Sequence, residues 1–193
     1  MSKGHLEVIV GGMFSGKSEE LLRRINRAKI ANQKVVVFKH SADSRYDNND
    51  VVSHSGLRTE AFPLFLTDFR PEIYNDKTGV YPDVVAIDEV QFFEKEDLLR
   101  VIDHWIENGV RVIVSGLDQD FRGQGFNTPL MGELVLRCKY IVKLTAVCQK
   151  CGQDATMTQR LIDGLPAPFE GDTILIGGID EYEARCSNCH QRG

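Results

Sequence analysis

One octapeptide restricts this chain more than any other feature. Gly11-Gly-Met-Phe-Ser-Gly16-Lys17-Ser18 fits the pattern G-x-x-x-x-G-K-[ST] in full. Before it lies the apolar run Val8-Ile-Val10. After it Leu21, Leu22, Ile25 and Ala28 recur at helical spacing, with Glu19, Arg23, Arg24 and Arg27 between them. A strand, a glycine-rich turn and an amphipathic helix in that order point to an α/β sheet with the turn at a strand's carboxyl end. Glycine lets backbone N–H groups turn inward around an anion without a Cβ clash, and the helix directs its positive end at the same place. Lys17 is placed to reach the β and γ phosphates, and the Ser18 hydroxyl to bind Mg²⁺. The expected ligand is ATP or a close relative. Its expected cradle is Gly11, Gly12, Met13, Phe14, Ser15, Gly16, Lys17 and Ser18. An ordinary glycine turn with a surface lysine would not require both flanks.

The rest of the chain continues the alternation. Val35 to Phe38 and Val84 to Ile87 are continuous apolar runs of the kind that suits a parallel sheet covered on both faces. A helix is predicted from about Glu94 to Asn108, with Gly109 as its stop, then a strand over Val110 to Val114. A helix near Leu130 to Leu136 and a strand near Tyr140 to Ala146 follow. Right-handed crossovers and a mostly parallel sheet are expected. Ser41 to Glu60, with Asp43, Ser44, Asp47, Asn48, Asn49 and Asp50, reads as a polar loop. From Cys148 onward helical periodicity stops and four of the five cysteines are concentrated. The chain therefore divides into a nucleotide-binding domain over 1–147 and a small metal-stapled subdomain over 148–193.

Asp88 and Glu89 end the strand Val84–Ile87. Ligands of open α/β sheets sit beyond the carboxyl ends of strands. Asp88 is placed to hold Mg²⁺, usually through water, and Glu89 to act on a nucleophile, either water or an acceptor hydroxyl. The alternative leaves Glu89 a solvated loop acid. Position alone does not separate an ATPase from a kinase.

Cys148-Gln-Lys-Cys151 and Cys186-Ser-Asn-Cys189 each present two thiolates, and two such pairs close a structural Zn²⁺ site. Disulfides or bare thiols are the alternative in a reducing cytosol. His190 could replace Cys189 as a ligand. Cys138 reads as a small buried hydrophobe, and His5, His40, His54 and His104 as structural residues.

Composition narrows the partners. A net charge of −5 over 193 residues argues against nucleic acid as the principal partner. No apolar run approaches the ~20 residues needed to span a bilayer. Met1 to Val10 lacks the long apolar stretch of a signal peptide, so the chain reads as cytoplasmic.

Taken together the motifs resemble the zinc-containing thymidine kinases of bacteria and animals. The likeness rests on Gly12 to Ser18, Asp43-Ser-Arg45-Tyr, Asp88-Glu-Val-Gln-Phe-Phe, Gly116-Leu-Asp, Phe121-Arg-Gly, Ala146-Val-Cys, Cys151-Gly, Thr158-Gln-Arg-Leu, Ile176-Gly-Gly, Tyr182 and both CxxC pairs. The resemblance implies a recombinase-like P-loop core with a zinc subdomain whose long loop covers the nucleoside. It implies transfer of the ATP γ-phosphoryl group to the 5′-hydroxyl of thymidine, and also of deoxyuridine, in nucleotide salvage. Carried over residue by residue, Glu89 is the general base. Lys17, Ser18 and Asp88 handle phosphates and Mg²⁺, with Val90 and Gln91 in the ATP-binding segment. Met13, Phe92, Leu117, Phe121 and Thr158 surround the thymine. Leu175, Gly177 and Tyr182 close over it, and Arg45 lies near the transferred phosphate. The resemblance also implies a homotetramer and inhibition by thymidine triphosphate.

The chain departs from the family's usual pattern at Gly125, where proline is usual, and at Asn127, where glycine is. It departs again at Ser53-His-Ser55-Gly, where Ser-His-Asp-Gly is usual. These departures bear on the stiffness of two loops. Two competing readings are a nucleic-acid-coupled ATPase with a zinc ribbon and a nucleotide-binding regulatory module. The acidic charge and small size weigh against the first. The intact set of Lys17, Ser18, Asp88 and Glu89 weighs against the second.

Overall fold

The computed structural model describes residues 4–40, 50–52, 58–64, 81–171, 173 and 181–193. Its centre is a six-stranded sheet in the order β5-β2-β6-β7-β1-β8, with every neighbouring pair parallel. These strands are β1 (His5–Gly11), β2 (Val35–Lys39), β5 (Phe62–Pro63), β6 (Val84–Asp88), β7 (Arg111–Gly116) and β8 (Tyr140–Leu144). Three helices cover the sheet among the described residues: α1 (Lys17–Ile30), α2 (Lys95–Glu107) and α3 (Thr128–Arg137).

Side-chain alternation along the strands builds two cores. Leu6, Val8 and Val10 of β1, Val85 and Ile87 of β6, and Val112 and Val114 of β7 pack on one face, against Leu98, Ile102 and Trp105 of α2 and Leu130 and Leu134 of α3. Ile9, Val84, Ala86 and Ile113 point the other way and meet Leu21, Leu22, Ile25 and Ala28 of α1. The strands are apolar on both sides because both faces are covered. Each buried Leu, Ile or Val contributes on the order of 1.5–3 kcal/mol relative to exposure.

Helix ends follow local chemistry. Glu19 and Glu20 lie in the first turn of α1 and Arg27 and Lys29 in its last, which suits the macrodipole. At the end of α2, Gly109 takes φ 84. Its N–H donates to the Ile106 carbonyl at 3.0 Å, and the Val110 N–H to the Trp105 carbonyl at 2.9 Å. That is the paired pattern of a left-handed helix stop, at the glycine where the sequence placed one.

Two expectations change. Residues 50–52 and 58–60, inside the predicted polar loop, form the antiparallel pair β3 (Asp50–Val52) and β4 (Arg58–Glu60). Val51 is buried beneath α1, and the Thr59 hydroxyl accepts a hydrogen bond from Lys29 Nζ at 3.0 Å. Packing on α1 overrides the polar composition there; the rest of that loop lies outside the described residues. The strand predicted over Tyr140 to Ala146 breaks after Leu144. Ala146 and Val147 form β9, which turns away to pair with β10 (Asp154–Ala155). Beyond them β11 (Met157–Ile162) lies between β12 (Leu165–Pro166) and β13 (Tyr182–Arg185), all antiparallel. No helix of the described residues is long and apolar enough to cross a membrane.

A methyl group at position 109 meets a left-handed backbone. Gly109→Ala is expected to cost about 1–2 kcal/mol, lowering Tm by about 2–4 °C per kcal/mol at this size. Calorimetry on the purified variant checks this; an unchanged Tm would show that the helix stop tolerates a Cβ.

Candidate active site

The phosphate loop leaves β1 at Gly11 and enters α1 at Lys17. Gly16, the N-cap of α1, has φ 81 and ψ 23, a left-handed conformation that suits glycine and turns the amides of the first helical turn toward the loop. Phe14, also left-handed at φ 64, is held from outside. Its side chain packs against Phe121, Ala167 and Tyr182 and against the cluster of Ala146, Cys148, Ala155, Ala184 and Cys186. Within the loop, the Ser15 hydroxyl and Lys17 Nζ both donate to the Gly12 carbonyl at 2.8 Å. The Met13 N–H donates to Thr158 Oγ1 at 3.1 Å, which ties the loop to β11.

Asp88 closes β6, one strand removed from β1. The Ser18 hydroxyl donates to Asp88 Oδ2 at 3.2 Å, and the Glu89 N–H donates to Asp88 Oδ1 at 3.0 Å. The residue types expected to share Mg²⁺ therefore face each other across the mouth of the loop, an oxygen-only pair of the kind that hard cation takes. Asp88 is buried. Desolvation, followed by the neighbouring Glu89 charge, pushes its carboxyl up to about 6, against the opposing pull of Ser115, the Glu89 amide and Lys17. Glu89 sits just beyond, at φ 55 and ψ 43. With Met13, Phe14, Lys17, Ser18 and Leu117 it lines one small cavity of about 60 Å³.

Other expected site residues are placed as follows. Leu117 follows the end of β7 and shares the Glu89 cavity. Phe121, Tyr182 and Met13 pack together, and the guanidinium groups of Arg122 and Arg160 each lie 5.2 Å from the Phe121 ring centre. Thr158 is buried, its hydroxyl engaged with the loop amide of Met13. Phe92 stacks edge-on with Phe126 at 5.8 Å. Val90 is fully buried in the core shared with α2. Gln91, 2% exposed, spends its side chain on Glu89 and on the Leu117 N–H. Arg45, Leu175 and Gly177 lie outside the described residues, as do His54 and the Ser53-His-Ser55 stretch.

The four cysteines of the two CxxC pairs bring their sulfurs within 4.8 Å of one another. Cys151 Sγ and Cys186 Sγ are 3.6 Å apart, and all five cysteines are free. Tetrahedral zinc with Zn–S of about 2.3 Å needs sulfur–sulfur edges near 3.8 Å, whereas a disulfide needs about 2.05 Å, so the cluster fits the ion. Burial opposes ionisation of Cys148, but the backbone amides of Cys186, Lys150 and Cys151 outweigh it and bring that thiol down to about 6. The Cys151 and Cys186 thiols push Cys189 up to about 12. A divalent cation among the four sulfurs would offset the repulsion between thiolates packed this closely. His190, the alternative ligand, bonds elsewhere: its Nε2 lies 2.8 Å from the Phe121 carbonyl.

Sequence reading missed several supports. Asp120, buried, accepts from the N–H groups of Arg122 and Gln124 and from Arg122 Nε, which shapes the turn that carries Phe121. The run Asp120-Phe-Arg-Gly123 is an aspartate-led turn signal that could have revealed it. Asn127 gives no such signal. Its side chain donates to the carbonyls of Gln91 and Phe93, distant in sequence.

The raised Asp88 carboxyl carries a pH signature. It holds its proton to about pH 6 in the folded chain, whereas an unfolded aspartate releases it near pH ~3.9. Between these values the folded state binds more protons, so the contribution of this group to stability is highest below the lower value. It is lost as pH rises toward the upper one. The stability of Asp88→Asn relative to the parent, both metal-free, should therefore grow as pH rises from 4 to beyond 6. Denaturant midpoints across that range measure it, and a pH-independent difference contradicts the assignment.

The family model described as TK, thymidine kinase, matches residues 4–190. Among solved structures the chain aligns with a DNA replication initiation factor at 14% identity and TM-score 0.44, over 73% of this chain and 40% of that one. AMPPCP-bound DnaA from Aquifex aeolicus aligns at 14% identity and TM-score 0.43, over 74% and 40%. A replication initiator DnaA bound to AMPPCP and single-stranded DNA gives 14% and 0.43, over 72% and 40%. This chain spans about two-fifths of the length of those proteins, and so distant a likeness says nothing of its activity. The match over residues 4–190 is of another order, and it takes in the phosphate loop, the acidic pair and all four clustered cysteines: the chain belongs to the thymidine kinase family.

Proposed function

We propose that the protein transfers the γ-phosphoryl group of ATP to the 5′-hydroxyl of thymidine, and of deoxyuridine, to give the nucleoside monophosphate in cytoplasmic salvage. The observation that carries this reading is the single cavity in which Glu89 meets Lys17, Ser18, Met13 and Leu117. A base, a phosphate-binding lysine and apolar walls open on one space.

The loop from Gly11 to Ser18 binds the triphosphate, and the Lys17 ammonium exchanges the Gly12 carbonyl for the β and γ phosphate oxygens. Ser18 and Asp88 would hold Mg²⁺, which supplies neutralisation of the phosphate charge. Glu89 accepts the proton of the 5′-hydroxyl as the O5′–P bond forms and the β–γ bridging P–O bond breaks, with ADP as leaving group. Met13, Phe92, Leu117, Phe121, Thr158 and Tyr182 form the nucleoside side of the site. By the family resemblance, Leu175, Gly177 and Arg45, which lie outside the described residues, would complete it. Val90 and Gln91 belong to the ATP-binding segment through their place beside Glu89 rather than through exposed side chains.

In this reading residues 1–147 are the kinase domain and 148–193 a zinc subdomain that carries the cover for the base. The bond from Met13 to Thr158 and the packing of Phe14 on the cysteine cluster support such coupling. Assembly as a homotetramer and inhibition by thymidine triphosphate belong to the same proposal.

A panel of nucleosides with ATP and Mg²⁺ tests the activity: thymidine should give a phosphorylated product. Glu89→Gln should lower kcat by about 10²-fold or more while ATP affinity changes little. A panel without product, combined with ATP hydrolysis stimulated by DNA, would instead favour a nucleic-acid-coupled ATPase. Elemental analysis of reduced, undialysed protein should find about one zinc per chain; protein free of zinc overturns that part.

A further inference from the structure

The turn carrying Glu89 is strained and is held in place by a residue with no part in the chemistry described above. Glu89 has a left-handed backbone. For a residue with a Cβ this conformation is unfavourable and persists only where the surroundings over-determine it. Two sets of hydrogen bonds do so. The Leu117 N–H donates to Gln91 Oε1 at 3.0 Å, which settles which end of that amide is oxygen. Gln91 Nε2 therefore faces Glu89 and donates to Oε2 at 2.5 Å. The main chain of the same turn is gripped by Asn127, whose Nδ2 donates to the Gln91 carbonyl and to the Phe93 carbonyl, each at 3.0 Å.

Asn127 is fixed on its other side by the fold. It is the N-cap of α3, with φ 42 and ψ 51, and its carbonyl accepts from the N–H groups of Leu130 and Met131. Leu130 and Leu134 anchor that helix in the core between sheet and α2. The amide nitrogen of Asn127 has two hydrogens, and it faces two carbonyl oxygens. Glycine would suit the backbone but supply no donor. Aspartate would match the size but set a carboxylate against two carbonyls.

We propose that Asn127 is a positioning residue for phosphoryl transfer: it staples the Glu89–Phe93 turn to the start of α3 and so keeps the Glu89 carboxylate at the mouth of the phosphate loop. The proposal rests on Glu89 as the base, and deepens that reading.

The test compares Asn127→Asp and Asn127→Gly with the parent. kcat for thymidine should fall about tenfold or more in Asn127→Asp and about threefold or more in Asn127→Gly, with KM for ATP and thymidine within about twofold of the parent. The order matters. If only side-chain size counted, the isosteric aspartate would be the milder change. Hydrogen exchange supplies a readout that needs no activity. Amides of Phe92, Phe93 and Leu117 should exchange faster in both variants, with those of β1 and α1 unchanged. A kcat within twofold of the parent in both variants, or unaltered exchange in the turn, overturns the proposal. If the parent itself fails to phosphorylate thymidine, the functional reading falls, and the exchange result alone decides whether Asn127 holds the turn.

Discussion

The parallel pairing of β7 with β1 on one side and β6 on the other sets the distance between the two halves of the site. Two strand spacings, about 10 Å, separate the main chains from which the phosphate loop and the acidic pair emerge. The loop's return into α1 then brings the Ser18 hydroxyl within 3.2 Å of Asp88. Gly116 at the end of β7 keeps this space open, since a Cβ there would meet Gln91 Oε1 at 2.8 Å and Val90 Cγ2 at 2.9 Å. A larger residue would displace the Gln91 and Val90 side chains that pack beneath the Glu89 turn.

The second constraint comes from the carboxyl-terminal segment, from Cys148 onward. The cysteine cluster is tied to the elements around the Gly11–Ser18 loop at several points. Thr158 takes the Met13 amide, Phe14 packs on the cysteine side of the junction, and His190 reaches the Phe121 carbonyl. The Gln159 side-chain amide braces β11 against the last residues: its Nε2 donates to the Gln191 carbonyl at 3.0 Å and its Oε1 accepts from the Gln191 N–H at 2.8 Å. An ion among the four sulfurs would thus stiffen the walls of the site as well as the small sheets around it. The order of these contacts along the chain follows from the break after Leu144, where the backbone leaves the main sheet to form β9.

Local signals made much of this legible. The pattern Gly11 to Ser18, the helical spacing of Leu21, Leu22, Ile25 and Ala28, and the apolar strands ending at Asp88 all describe chemistry confined to a few consecutive residues. Gly109 announced the end of α2 for the same reason. The pairing of β3 and β4 was hidden because it lies in a stretch that is polar by composition, and Val51 and Thr59 find their partners on α1, distant in sequence. The burial of the Val90 and Gln91 side chains was not legible locally, since a left-handed Glu89 redirects the chain that follows it.

The sequence by itself determined the phosphate loop, the identity of the acidic pair, the two CxxC pairs and the family to which they belong. Each is a matter of residue type at short fixed spacing, and short spacing is preserved in any fold. Tertiary structure alone decided which of these groups meet. It set Ser18 against Asp88, Thr158 against the loop amide, four sulfurs against one another, and Asn127 against the Glu89 turn. Such contacts join residues far apart in the chain, and their geometry comes from strand order and helix packing, which no local pattern encodes.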